Sequence, residues 1–400
     1  MSNLISEELD LEAEAVLDPS IQFERDAANT RPPKAIFLTG ATGLLGAYLL
    51  QSLLQQTNAD IYCLIRSDSP DSGKQRLQRH LKSYSIWTDS FNSRIFPIIG
   101  DLAKPLFGLS TQEFDQLSQT IDLIYHNGAQ ISFIRPYKAL KATNVLGTHE
   151  IIRLAGLNKT KPVHFISTLA VFFNQSSTTA NALISETEIP KYDAGLKGGY
   201  KQSKWVAEEL IRLAQERGLP ACIYRPVRIS GHSQTGITQN FDDFFFRLLK
   251  GCIHLKQFPR LDIAITLLPV DYVCEAVIQL SLRKAPFGRA FNLLNPTPMP
   301  WKSFIKIFMS WGYELQEVNL DDWMCSLQEY SRKYPQDQFL KLLYFFMRKP
   351  SNLLAKKPKV ETTQTLQELE ALGVFCPEIN EKLLSSYISY FQAIDYFPHP

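Results

Sequence analysis

The stretch Ile36-Phe37-Leu38-Thr39-Gly40-Ala41-Thr42-Gly43-Leu44-Leu45-Gly46 constrains this chain more than any other part of it. It reads in order as a buried strand, a glycine turn and the start of an amphipathic helix. Gly40 permits a tight turn, Gly43 lets backbone approach a pyrophosphate, and Gly46 lets the helix pack closely on the strand. The helix N-terminus then offers unpaired N–H groups to an anion. A dinucleotide is the ligand this pattern fits.

Downstream, apolar β runs at 60–66, 94–100, 122–126, 163–167 and 221–225 alternate with helical patterns at 44–56, 74–81, 140–157 and 199–217. Near-continuous apolar strands separated by helices predict a parallel sheet covered on both faces, a Rossmann-like doubly wound α/β fold. The helix at 199–217 stops at Gly218 with Pro220 beyond. From about residue 239 the pattern turns helix-rich and aromatic, with helices expected at 242–249, 300–311 and 336–347. A strand near 291–294 is expected to return to the sheet. The domain expectation is therefore an acidic arm or linker at 1–33, a dinucleotide-binding domain at 34–240 and a helix-rich C-terminal substrate lobe at 241–400.

Residues 1–30 hold eight acidic side chains and one basic, Arg25, with a short helix expected at 6–17. Over the whole chain charge is balanced, 42 basic against 40 acidic residues, so no global field draws nucleic acid. The six cysteines are scattered without a C-x-x-C pair, which points to reduced thiols and a cytoplasmic setting. No apolar run approaches the length of about 20 residues that a transmembrane helix needs. No metal-ligand cluster is evident.

At the end of the second strand, where a carboxylate would select an unphosphorylated ribose, the chain carries Arg66. A guanidinium pairs with a 2′-phosphate, so NADPH is favoured, with Arg76 as the other jaw and Asp68 as a competitor for the ribose. Gly100-Asp101-Leu102 and Asn127-Gly128-Ala129 end the third and fourth strands, where cofactor would pass.

Tyr200 and Lys204 stand four residues apart, on one helix face. A cation held near the phenol is expected to lower its pKa from about 10. Ser167 and Thr168 end the strand at 163–166, where hydroxyls face the ligand crevice. Thr168 is the preferred catalytic hydroxyl. Asn144 could bind a carbonyl or water and support Lys204. Phe241, Phe244, Phe245 and Phe246 line an apolar channel or form ordinary core. Six basic residues without an acidic one lie between 341 and 360, a docking face for an acidic carrier or anionic lipid, or a solvated segment.

With these residues in view, the chain resembles extended short-chain dehydrogenases/reductases. More specifically, it resembles the thioester reductase domains that terminate nonribosomal peptide and polyketide synthases and carboxylic acid reductases. The motifs are L-T-G-A-T-G-L-L-G-A-Y-L-L (38–50), Y-C-L-I-R (62–66), G-D-L-A (100–103), I-Y-H-N-G-A (124–129), N-V-L-G-T (144–148), I-S-T-L-A-V (166–171), G-Y-K-Q-S-K-W-V-A-E (199–208) and I-Y-R-P (223–226). They cover about residues 35–240.

The resemblance implies NADPH-dependent release of a phosphopantetheine-bound acyl or peptidyl thioester as an aldehyde, or further as an alcohol, with Thr168, Tyr200 and Lys204 catalytic. It implies cofactor contacts from Gly40, Thr42, Gly43, Leu44, Leu45, Gly46, Arg66, Arg76, Asp101, Leu102, Asn127, Gly128, Ala129, Ser167, Tyr200, Lys204 and Pro226. The carrier protein is expected in trans, and the acyl group is expected to enter between the sheet edge and the C-terminal lobe. Two departures from the family pattern stand out: Val227-Arg228 replaces glycine and arginine, and His232 replaces an acidic residue. Alternatives are a fatty acyl-CoA reductase and a nucleotide-sugar epimerase or dehydratase, with a non-catalytic NADP(H) sensor more distant.

Overall fold

A computed structural model describes residues 9–24, 32–132, 134–173, 183–192, 195–238, 241, 243–282, 287–348 and 358–400. Its first compact unit comprises Met1–Pro226, Cys274–Leu293 and Pro358–Gly373. Seven strands form its sheet: β1 (Ala35–Thr39), β2 (Asp60–Ile65), β3 (Ile95–Ile99), β4 (Leu123–His126), β5 (Val163–Ile166), β6 (Ala221–Pro226) and β7 (Arg289–Leu293). Their spatial order is 3-2-1-4-5-6-7, every pairing parallel. The doubly wound parallel sheet expected from the strand and helix alternation is present. Strand order reverses between β1 and β4, which places a ligand crevice at the carboxyl ends of those two strands.

β1 is buried at all five positions, as an interior parallel strand must be. It leads into α2 (Leu44–Gln56), whose eight buried residues include Leu45, Leu49 and Leu53. α3 (Pro70–Ser83) begins with a Ser69/Ser72 capping box and Pro70 at its first position. α4 (Thr111–Thr120) has the same device from Ser110 and Glu113.

The helix expected at 140–157 is broken into three pieces: α5 (Tyr137–Lys141), a π-turn over Ala142–Leu146, and α6 (Gly147–Gly156). The π-turn fits an extra residue into one turn, and no glycine or proline within 142–146 marks the place in the sequence. α7 (Gly199–Glu216) follows the expected course.

Residues 9–24 differ from a solvated arm. Asp10 caps the short helix α1 (Leu11–Glu14), and Leu11, Leu17, Ile21 and Phe23 join the core of the first unit. Arg217 donates to the carbonyls of Leu17 at 2.9 Å and Asp18 at 2.7 Å, and Glu14 pairs with Lys141 at 2.6 Å. Four apolar side chains among the acids suffice to dock the segment.

The second unit comprises Val227–Val273, Leu294–Lys357 and Val374–Pro400. Its core gathers α8 (Phe244–Leu255), α10 (Trp301–Ser310), α11 (Leu320–Lys333), α12 (Gln338–Met347) and α14 (Glu381–Ala393). The helix α9 (Val270–Leu282) leads back to the first unit, which also holds α13 (Thr363–Ala371). Phe245 and Phe246 are core residues, with Phe241 and Phe244 packed against them, so the aromatic run is core and not an open channel. Of the basic segment, residues 349–357 lie outside the described residues. Among the described residues, no helix is long and apolar enough to cross a membrane. The cysteines are free thiols.

Candidate active site

The glycine loop separates what the fold demands from what a ligand demands. Gly40 has φ +75°, and a Cβ there would lie 2.8 Å from the Gly128 Cα. A Cβ on Gly46 would sit 2.0 Å from the Gly40 carbonyl oxygen. Both glycines are therefore required by the chain's own packing. At Gly43 a Cβ would meet only the Gly40 oxygen at 3.4 Å, an ordinary contact. Gly43 is the N-cap of α2 and gives it no side-chain cap. Bare backbone thus faces outward at a helix N-terminus, the arrangement that accommodates a pyrophosphate.

Next to the loop, at the ends of β2 and β3, a cavity of about 690 Å³ is lined by Arg66, Arg76, Arg79 and Lys104 together with Asp68 and Asp101. Arg76 donates to the Arg66 carbonyl at 2.6 Å, which fixes the second expected jaw beside the first. The Asp101 carboxylate accepts from Ala103 N–H at 3.0 Å and so shapes its own turn. Four cations against two carboxylates make the cavity an anion site. These features fit a dinucleotide, whose phosphates are anions.

At the end of β4, Asn127 donates to the Gly40 carbonyl at 3.3 Å and Gly128 N–H donates to Thr39 Oγ1 at 2.9 Å. Leu102 lies against Gly128 and Gly147, closing the strand ends.

α7 starts abruptly, because Gly198 has φ +97° and a Cβ on Gly199 would lie 2.5 Å from the Arg135 carbonyl oxygen. That close approach sets Tyr200 in the first turn. One turn on, buried Lys204 donates to the Ile166 carbonyl at 2.7 Å and lies 4.0 Å from the Phe165 ring centroid. α7 is thereby tied to the end of β5, two residues before Thr168. Half-buried Thr168 caps the turn Leu169–Phe172, accepting from Ala170 N–H at 3.2 Å, and that turn packs on α7. Ser167 is committed elsewhere: it is buried and its hydroxyl donates to the Glu208 carboxylate.

Burial controls the ionisation of both α7 groups. It pushes the Tyr200 phenol up to about 12 and the Lys204 ammonium down to about 7, the latter opposed by Glu208. This corrects the expectation that the nearby cation lowers the phenol. The spacing of four residues sets proximity, but the desolvation of each charged form outweighs it.

Residues 38–277 match the NAD-binding family described as Male sterility protein. The chain is 40% identical to the terminal R domain from the myxalamid PKS-NRPS biosynthetic pathway, covers 98% of both chains and superposes with a TM-score of 0.91. The chain belongs to this family of terminal reductase domains, within the extended short-chain dehydrogenases/reductases. It is 39% identical over 391 residues to a linear gramicidin synthase of Brevibacillus parabrevis, spanning 97% of this chain and 8% of that protein. It is 30% identical over 394 residues to the L-2-aminoadipate reductase of Eremothecium gossypii (its large chain), spanning 93% of this chain and 28% of that one. The reductase domain thus matches a small part of each curated relative.

In this reductase domain Gly40, Arg66, Asp101, Asn127, Thr168 and Pro226 stand at or just beyond the carboxyl ends of β1 to β6. Pro226 ends β6 in register with Leu293. Asn144, in the π-turn, donates to the Gln130 carbonyl at 3.0 Å and to Ser203 Oγ at 2.9 Å rather than to anything on Lys204. The departures after Pro226 have local partners: Arg228 pairs with Asp243 at 3.2 Å, and His232 Nδ1 accepts from Gln234 N–H at 3.2 Å.

Sequence reasoning missed Arg79 and Lys104 in the anion cavity, and the buried polar residues Thr39, His126, Thr148, Glu208 and Arg225. The available signal was a polar or charged residue closing an apolar strand, as in I-F-L-T, L-I-Y-H and C-I-Y-R.

Proposed function

We propose that this chain is an NADPH-dependent thioester reductase that accepts an acyl or peptidyl group from the phosphopantetheine arm of a carrier protein and releases it as an aldehyde. The observation that carries the reading is the binding of Lys204 to the end of β5, which gathers Tyr200, Lys204 and the Thr168 segment at the carboxyl edge of the sheet. The glycine loop lies at the same edge, two strands away in β1.

Arg66 and Arg76, with Arg79 and Lys104 behind them, would hold the 2′-phosphate, and the uncapped N-terminus of α2 would hold the pyrophosphate. Bound NADPH supplies the hydride. Thr168 and Tyr200 donate hydrogen bonds to the thioester carbonyl oxygen and stabilise the negative charge that develops there, the largest single catalytic contribution available to such a site. Tyr200 passes its proton to that oxygen. Lys204, charged, would hold the nicotinamide ribose. Collapse of the hemithioacetal breaks the C–S bond and expels the pantetheine thiol. One thioester, one NADPH and one proton become aldehyde, thiol and NADP+; a second equivalent of NADPH would give the alcohol.

The second compact unit is assigned to recognition of the acyl group, and the six free cysteines suit a cytoplasmic setting. The test is NADPH consumption on addition of acyl-pantetheine, acyl-CoA and acyl-carrier thioesters. Consumption with aldehyde formation supports the reading, and NADPH that stays intact with all three donors overturns it.

A further inference from the structure

One buried hydrogen-bond path runs from the glycine loop to the helix that carries Tyr200, and the direction of every proton along it can be assigned. The Thr148 hydroxyl has one proton and gives it to the Asn144 carbonyl at 2.7 Å. Thr148 Oγ1 therefore accepts from His126 Nε2, 3.0 Å away, so Nε2 carries a hydrogen. His126 Nδ1 is then the acceptor for the Thr39 hydroxyl at 2.9 Å. The Thr39 oxygen in turn accepts from Gly128 N–H at 2.9 Å.

On the far side, Asn144 spends its two amide protons on the Gln130 carbonyl and Ser203 Oγ, and the Ser203 hydroxyl donates to the Tyr200 carbonyl at 2.9 Å. His126 is 1% exposed, and burial with the Lys204 charge nearby pushes its imidazole down to about 3, so the ring is neutral.

We propose that His126 is a positioning residue of the reductase. As the neutral Nε2–H tautomer it fixes the β1 end and glycine loop through Nδ1, and the Asn144 π-turn and Tyr200 helix through Nε2. The inference rests on the NADPH-dependent reductase reading for its turnover arm, but not for its cofactor-binding arm. The two ring nitrogens do different work. One sets the cradle for the dinucleotide, and the other sets the turn against which the proton donor is held.

Two amide substitutions separate these limbs. His126→Asn places an acceptor where Nδ1 stands and leaves Thr148 without its donor. His126→Gln places a donor where Nε2 stands and leaves Thr39 without its acceptor. NADPH dissociation constants are measured by titration, and kcat is measured at saturating NADPH with an acyl-pantetheine thioester.

His126→Asn is expected to keep the wild-type Kd and lose about tenfold in kcat, while His126→Gln weakens NADPH about tenfold and keeps kcat. Tenfold is the change expected when one buried hydrogen bond is lost. Thr39→Val and Thr148→Val, each near-isosteric, should reproduce the Kd effect and the kcat effect respectively, and they carry the test where a histidine variant does not fold. If the Kd values of His126→Asn and His126→Gln are the same, or NADPH affinity and kcat fall together in both, the proposal is overturned. If the wild-type protein reduces no thioester, the reductase reading falls, while the Kd contrast alone still decides the role of His126.

Discussion

Glu208 and Arg225 form a buried ion pair, with Oε1 and Nη2 2.6 Å apart and side chains 4% and 3% exposed. The other Glu208 oxygen accepts the Ser167 hydroxyl, and Arg225 also reaches the Glu188 carbonyl at 3.2 Å. The pair stitches α7 to the ends of β5 and β6, one turn beyond Lys204. Glu208→Gln leaves a buried guanidinium without its countercharge and is expected to destabilise the fold by about 3 kcal/mol. Chemical denaturation of the variant checks this; a loss below about 1 kcal/mol would place the pair among weak surface bridges.

Ser167 and Thr168 should separate cleanly. Ser167→Ala removes a donor from Glu208 and is expected to cost about 1 kcal/mol of stability while kcat stays within a few-fold of wild type. Thr168→Val removes an oxyanion donor and is expected to lower kcat by about 100-fold with little change in stability. Parallel melting and turnover measurements on both variants check the assignment. The reverse pattern would move the catalytic hydroxyl to Ser167.

The pH profile is set by Lys204, whose ammonium burial lowers to about 7. The mechanism needs that group charged, so kcat/KM is expected to be level below pH about 7 and to fall about tenfold per unit above it. Glu208 opposes the shift, so Glu208→Gln should move this limb to lower pH. The folded pKa lies below the ordinary value of 10.5, so the unfolded chain binds more protons between the two. This term therefore makes stability rise as pH increases from about 7 towards 10.5, and it is lost as pH falls through 7. A profile level to pH 9 in the wild-type protein would contradict the role given to Lys204.

Cofactor choice should rest on the anion cavity. Arg66→Ala and Arg76→Ala are each expected to raise KM for NADPH about tenfold while leaving KM for NADH nearly unchanged, because only the phosphorylated ribose needs the guanidinium. Equal losses with both nucleotides would assign the two arginines to loop structure, where Arg76 already holds the Arg66 carbonyl.

Where local chemistry decided the structure, the sequence was legible. α2 falls on residues 44–56 as expected, because a glycine turn opens it and an apolar pattern fills it. The course of α7 was legible from its apolar spacing and from Gly218 after it. The π-turn at Ala142–Leu146 was not, since no glycine or proline within it breaks the helical pattern. The docking of residues 9–24 was hidden under an acidic composition, with Leu11, Leu17, Ile21 and Phe23 too widely spaced to form a pattern. Nor was the ionisation of Tyr200 and Lys204 readable, because it depends on burial that spacing does not report. The His126 path joins residues 87 and 22 positions apart, a relation only the folded sheet creates.

The docked N-terminal segment yields its own prediction. Leu17 is 2% exposed, and Leu17→Ala is expected to destabilise the first unit by about 3 kcal/mol. A solvated arm would lose nothing measurable, so a melting curve of the variant distinguishes the two.

The most direct measurement is the stoichiometry of one reaction mixture containing the protein, NADPH and an acyl-pantetheine thioester, with wild-type protein and Tyr200→Phe run side by side. Free thiol and aldehyde should appear in step with each NADPH oxidised, and the phenylalanine variant should bind NADPH normally yet slow all three changes by at least about 100-fold. Thiol released without NADPH oxidation, or a phenylalanine variant as fast as wild type, would contradict the account.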